Sequence, residues 1–235
     1  YRVFKNTNYW DRAKGDSQKL FHFCRNSFDK EQCQFSLVGP SFFNRISSDD
    51  VFVKDWSRLG KLLLDSLGSN YSPSERVHKI WSLTLFYDLT GEHDFLNQAE
   101  KEFTRLNAMD DPQMGCWRSL AALKLYKVKQ EPVYFSMAKH NFTLFSQEKG
   151  VPFDSLKSLL PCVEMANDFA DLTREDMYKK TRNQWLNYIF NNYWRVSDGA
   201  LVRNVDDSKK YTLDNAFMVY ILSRNLDFKW ISHSR

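Results

Sequence analysis

The sequence predicts an all-α protein of stacked antiparallel helical hairpins, each about 40 residues long. Three observations carry this. The stretch "NYSPSERVHKIWSLTLFYDLTGEHDFLNQAEKEF", residues 70–103, reads as a helix, a break at Gly91 and a second helix. Moved forward by 39 residues it meets its own pattern: Ser72-Pro73 falls on Asp111-Pro112, Tyr87 on Tyr126, Glu92 on Glu131, Phe95 on Tyr134, Ala99 on Ala138 and Phe103 on Phe142. A looser third copy follows. Pro152 stands 40 residues after Pro112, and "DLTREDMYKKTRNQW" repeats "DLTGEHDFLNQAEKEF" with Trp185 opposite Phe103.

Taken in order, residues 1–50 are the least regular. Residues 16–28 and 51–66 nonetheless carry helical spacing (Val51, Trp56, Leu59, Leu62 and Leu63 in the second), while "LVGPSFF" at 37–43 reads as a loop. The first hairpin starts at Ser72, Pro73 and Glu75: a capping hydroxyl, a proline in the first turn and a carboxylate able to return to the cap. Val77, Trp81, Thr84 and Leu85 then mark one buried stripe. Gly91 supplies the left-handed residue that ends the helix. Asp94 is expected to cap the second helix, whose stripe runs Phe95, Ala99, Phe103 and Leu106. Pro112 and Pro152 are expected to open the next two hairpins, with a kink or restart at Pro161. After the three hairpins of residues 70–192, "WRVSDGALVRNVDDSKKYT" at 194–212 reads as a short β-hairpin or ordered loop, and 213–224 as a last helix. The whole, 1–235, reads as one domain.

Composition narrows the class. The chain has 235 residues, 43% of them apolar, enough for a substantial core. Aromatics reach 16% with seven tryptophans, which serve either as helix-packing bulk or as rings lining a sugar- or peptide-binding groove. A net charge of +4, spread mostly after residue 175, reads as a solvated face and not a phosphate-binding cluster, so nucleic acid is not expected. No apolar run reaches membrane-spanning length. The chain opens at Tyr1 without methionine or an apolar leader, which reads as a processed product. Asn70-Tyr71-Ser72 and Asn141-Phe142-Thr143 fit glycosylation acceptors, as in a secreted protein.

Of four cysteines, Cys24 and Cys33 suit a local bridge. Cys116 lies four residues after its repeat proline and Cys162 ten after its own. Helices aligned by those prolines would hold the two thiols about 9 Å apart in height, so they are expected to stay unpaired. No CxxC, HExxH or Cys/His cluster points to a metal, and no GxSxG, Walker or Rossmann glycine pattern points to a cofactor.

The phrase "LTLFYDLTGEHDFLNQAEKEF" and the later "SDGALVRNVDDSKKYTLDNAFMVYIL" resemble the hairpin and loop-to-helix phrases of αα-toroid proteins, the six-hairpin glycosidases and polysaccharide lyases. The resemblance spans about residues 70–224 and concerns packing and turns. It implies an incomplete αα-toroid or a curved solenoid, since 235 residues hold at most four or five hairpins. "NNYW" at 191–194 resembles part of the Asn-Asn-His…Tyr-Trp motif of alginate-lyase toroids but lacks its histidine, so that mechanism is not carried over.

Glycoside hydrolysis needs two carboxylates facing one another, one kept protonated. The candidates are Glu164, Asp207 and Asp214, with Asp206 and Asp168 beside them. The ordinary reading of Asp214 is a helix cap, and of Asp206-Asp207 a solvated turn. Glu164 and Asp168 stand one turn apart in an apolar helix, which costs energy unless they are paired or solvated. Lyase chemistry would use a base and a group neutralising a uronate. Tyr193, Asn191, Asn192 and Arg195 form such a set by type, but consecutive helical residues point in different directions and cannot all converge. Trp194 joins Asn192 and Arg195 as a substrate-binding candidate. His93 and His140 read as surface residues. The resulting expectation is a secreted or periplasmic carbohydrate-handling protein, binding a polysaccharide or oligosaccharide in an aromatic groove and cleaving it if its acids converge. The alternative is a non-enzymatic repeat scaffold holding a protein partner, an assembly factor or a toxin-neutralising protein.

Overall fold

The computed structural model describes residues 15, 19, 71–109, 114–147, 155–195, 197, 199–202 and 212–225. The regions 16–28, 37–43 and 51–66, together with Cys24, Cys33, Pro112, Pro152, Asp206 and Asp207, lie outside the described residues apart from Lys19. Among the described residues the protein is all-α with one small β-hairpin. Its main elements are α1 (Pro73–Thr90), α2 (His93–Asn107), α3 (Gly115–Lys129), α4 (Pro132–Gln147), α5 (Leu156–Thr173), α6 (Asp176–Tyr193), β1 (Trp194–Arg195), β2 (Ala200–Leu201) and α7 (Thr212–Ser223). Helices α1/α2, α3/α4 and α5/α6 form antiparallel pairs. The chain divides into two compact units, 1–108 and 109–235.

In the first unit, Ser72 and Glu75 form the expected capping box and Pro73 is the first helical residue. Gly91 ends α1 at φ 70°, its N–H donating to the Tyr87 carbonyl at 2.8 Å. Asp94 does not cap α2. The flanking residue is Glu92, without a side-chain cap, because Thr90 has taken over the turn: its hydroxyl donates to the Phe86 carbonyl (2.8 Å) and accepts from the Glu92 N–H (3.2 Å). Phe95, Ala99, Phe103 and Leu106 are buried, as their spacing requires.

The second unit repeats this turn with other residues. Gln130 (φ 57°) and Arg174 (φ 61°) occupy the left-handed position of Gly91. Thr173 reproduces Thr90, donating to the Phe169 carbonyl at 3.0 Å and accepting from the Glu175 N–H at 3.2 Å. Aligned on this shared turn, Leu186 takes the place of Phe103 and Trp185 stands next to it; both are buried. The helix starts depart from expectation. Helix α3 begins at Gly115, and α5 begins at Leu156 behind a Ser155 cap. Helix α5 runs on through Pro161 without a restart. The proline sits in the second turn, where its missing N–H forfeits one intrahelical bond, and its buried ring packs in the core.

Cys116 and Cys162 are joined, contrary to the proline-based expectation, with Cα atoms 5.0 Å apart. The proline register was the error. The disulfide sets residues 46 apart, not 40, level on α3 and α5, while the long lysine side chains reach back to acids 40 and 41 residues on, as in Lys124–Glu164 and Lys127–Asp168. Helix α5 therefore starts about five residues, roughly 7.5 Å, before the level of α3. Among the described residues the aromatics serve mainly for packing: the Phe142 and Phe169 rings each lie 4.8 Å from that of Tyr178, and Phe142 lies 5.8 Å from Trp185. The β-hairpin pairs Trp194 with Leu201 and Arg195 with Ala200. Asn215 of α7 fixes it, accepting from the Leu201 N–H (2.8 Å) and donating to the Leu201 carbonyl (3.0 Å).

Candidate functional site

Two of the acids singled out by sequence, Glu164 and Asp168, lie one turn apart on α5 and are fully buried. Ionised carboxylates survive there only if paired. Helix α3 supplies Lys124, whose Nζ reaches Glu164 Oε1 at 3.1 Å and Asp168 Oδ2 at 2.7 Å. Lys127, one turn later, donates to Asp168 Oδ1 at 2.6 Å. Arg224, just after α7, closes the other side. Its Nη1 pairs with Glu164 and stands 3.0 Å from Asp168 Oδ1, while its Nη2 pairs with Asp171. Asn167 donates to Glu164 Oε2 (3.1 Å) and the Tyr220 hydroxyl to Oε1 (3.4 Å). Three cations thus meet three carboxylates along one face of α5, from the buried Glu164 to Asp171, whose side chain is 65% exposed.

The electrostatics follow from this matching. Burial alone would raise the Asp168 carboxyl, but Lys124, Lys127 and Arg224 outweigh it and hold the group well below the usual carboxylate range. Burial pulls the Lys124 ammonium down against the pull of Asp168 and Glu164. For Arg224 the carboxylates prevail over burial, and its charge is reinforced. Burial, then the Glu164 charge, pushes the Tyr220 phenol up, so it remains a donor. The network binds α3, α5 and the end of α7 together. Within it Asp168 is held ionised and buried, which is not the state of a general acid.

The other sequence-chosen residues part company. Tyr193 turns into the core, and Asp214 is buried in the first turn of α7. Asp207 lies outside the described residues. Asn192, Trp194 and Arg195 remain partly exposed where α6 passes into β1. The Trp194 ring lies 5.8 Å from that of Phe190, and the Asn192 amide donates to the Tyr188 carbonyl at 2.8 Å. This is a partly open aromatic and polar ledge held by the β-hairpin and Asn215. His93 and His140 are exposed, as expected. The Asn141 amide donates to the Ser119 hydroxyl at 2.9 Å, which engages the acceptor nitrogen of that glycosylation triplet.

Lys124, Lys127, Tyr220 and Arg224 escaped the sequence reading. The acids at 164, 168 and 171 form a stripe at helical spacing, and Lys124 stands one repeat before Glu164, so half of the network had a signal. Arg224 had none.

No family model and no curated protein matches the chain. Among solved structures it is similar to the Lin0763 protein from Listeria innocua, with a TM-score of 0.59 and 11% identity over 87% of this chain and 74% of that one. The likeness is one of fold.

Proposed function

We propose that this chain is an extracytoplasmic binding protein that recognises a polysaccharide at the Asn192–Trp194–Arg195 ledge, without cleavage by Glu164 or Asp168. The observation that carries this reading is the ion pairing of both buried carboxylates with Lys124 and Arg224, and of Asp168 with Lys127 as well. A hydrolase needs one acid held protonated and facing substrate, and Asp168 is held in the opposite state. The ledge offers what sugar binding uses: a ring face for stacking, backed by Phe190, beside amide and guanidinium donors. The resemblance of the turn phrases to αα-toroid carbohydrate-active proteins agrees with it. The Cys116–Cys162 bond supports an oxidising compartment, secreted or periplasmic.

The test is a panel of neutral and uronate-containing polysaccharides, following bound polymer, new reducing ends and unsaturated products together. The expected result is binding without products, weakened about tenfold or more by Trp194→Ala and kept by Glu164→Gln. New reducing ends or unsaturated products would overturn the non-catalytic reading. A protein partner is the second reading, favoured by Val133 and Leu144 on α4 and Met177 on α6, large apolar side chains left about half exposed. Silence across the panel, with a specific protein captured through a surface that Val133→Lys disrupts, would shift the conclusion to it.

A further inference from the structure

The open end of the first hairpin, opposite the Gly91 turn, gathers a second charged cluster with a different balance. Arg76 and Lys79 lie one turn apart on α1, and Glu102 and Arg105 lie one turn apart on the returning α2. The Glu102 carboxylate pairs with Arg76 Nη1, with Lys79 Nζ at 3.2 Å and with Arg105 Nη1 at 3.1 Å. Among the described residues, three cations therefore share one carboxylate here, where the α3–α5–α7 network matches three with three. Glu75, the next acid, is committed to the Ser72 N–H in the capping box.

Beside this surplus stand two polar atoms without a partner. Tyr71 Oη and Arg76 Nε are buried and make no hydrogen bond, on residues only 6% and 5% exposed. A buried donor left unsatisfied has given up its hydration without a replacement partner. Lys79 Nζ lies 4.6 Å from the centre of the Tyr71 ring, and the Arg76 guanidinium carbon 5.8 Å. The first turn of α1 adds the positive end of its dipole.

We infer that this cluster is a site for a small oxyanion, a carboxylate or sulfate group. Tyr71 Oη and Arg76 Nε donate to it, and Lys79 supplies the facing charge. The anion satisfies both orphan donors and offsets the excess positive charge. Burial first, then the charges of Glu102 and Glu75, pushes the Tyr71 phenol up to about 12, which keeps it a donor at neutral pH. Arg105, its side chain 58% exposed, forms the solvent edge. The inference is independent of the polysaccharide ledge.

Titration of the whole chain with sodium acetate, D-glucuronate or sulfate tests it, against chloride at matched ionic strength, reading thermal midpoint and bound ³⁵S-sulfate by equilibrium dialysis. The expected result is a saturable rise in midpoint with at least one oxyanion beyond the chloride control. Acetate and glucuronate responding without sulfate would assign a carboxylate site, and the converse a sulfate site. Tyr71→Phe, which keeps the ring and removes only the hydroxyl, should weaken the apparent affinity about tenfold. Arg105→Gln, at the exposed edge, serves as a second variant that spares the interior and should weaken it less. A midpoint that follows ionic strength alone, or a Tyr71→Phe protein titrating like the parent, overturns the site.

Discussion

Asp168 shows how a single buried side chain can be both costly and indispensable. Removing it from water is unfavourable by several kcal/mol, and three cations answer that cost. Taking away one partner of such a set leaves buried charge without compensation, so Asp168→Asn should destabilise the protein by roughly 3–5 kcal/mol at pH 7. The pH dependence has a definite sign. The folded carboxyl is held well below the unfolded value of about 3.9, so the unfolded chain binds more protons in the interval between them. The stabilisation is fully present above that unfolded value and is lost as pH falls toward the folded one. Urea unfolding of parent and Asp168→Asn should therefore show a stability gap that is constant from pH 7 to about 5 and narrows below about 4. A gap independent of pH would mean that Asp168 contributes by shape and not by charge. At this scale the sequence spoke in part: an acid on an apolar helix announces that a partner exists. Lys124 could be inferred from the repeat, but Arg224 belongs to a helix whose place against α5 no local pattern encodes.

At the scale of elements, the hairpin turn was legible and its chemistry was not. The glycine signal worked at Gly91, where φ 70° suits a residue without Cβ. Gln130 and Arg174 hold the same left-handed position with side chains, and nothing in their identity marks it. The threonine that completes two of the three turns, Thr90 and Thr173, was visible only as part of the repeated "DLT" phrase. This gives Arg174→Gly a clear sign. The side chain is exposed, and the substitution relieves the left-handed penalty at the end of α5 while loosening the unfolded chain somewhat. A net gain of about 0.5 kcal/mol is expected, read as a higher urea midpoint at unchanged slope. A loss would show that Arg174 makes a contact worth more than its strain. Proline misled for the opposite reason. It fixes a backbone angle but not the level at which a helix meets its neighbour, and Pro161 runs inside α5 without interrupting it.

At the scale of the molecule, what the sequence could not convey is the alignment of one hairpin with the next. A repeat period gives the number of units and their order. The sliding of α5 against α3 comes instead from side-chain fit along the whole seam, closed near the start of α3 by Cys116–Cys162 and farther along by Lys124, Lys127, Glu164 and Asp168. Both fastenings lie within the unit of residues 109–235. The disulfide spans a separation of 46 residues, and chain-entropy reasoning assigns a loop of that size about 4 kcal/mol. The ion network remains when the bond is cut, so the seam should loosen without coming apart. Hydrogen exchange before and after replacing both cysteines by serine locates that effect. Amides of α3 and α5 should exchange faster by a factor matching the measured loss of stability, with protection retained at a lower level. The hairpin of α1 and α2, in the other unit, should keep its exchange rates. Equal acceleration in both units would mean that the two open together, and that the bond stabilises the whole chain instead of one seam.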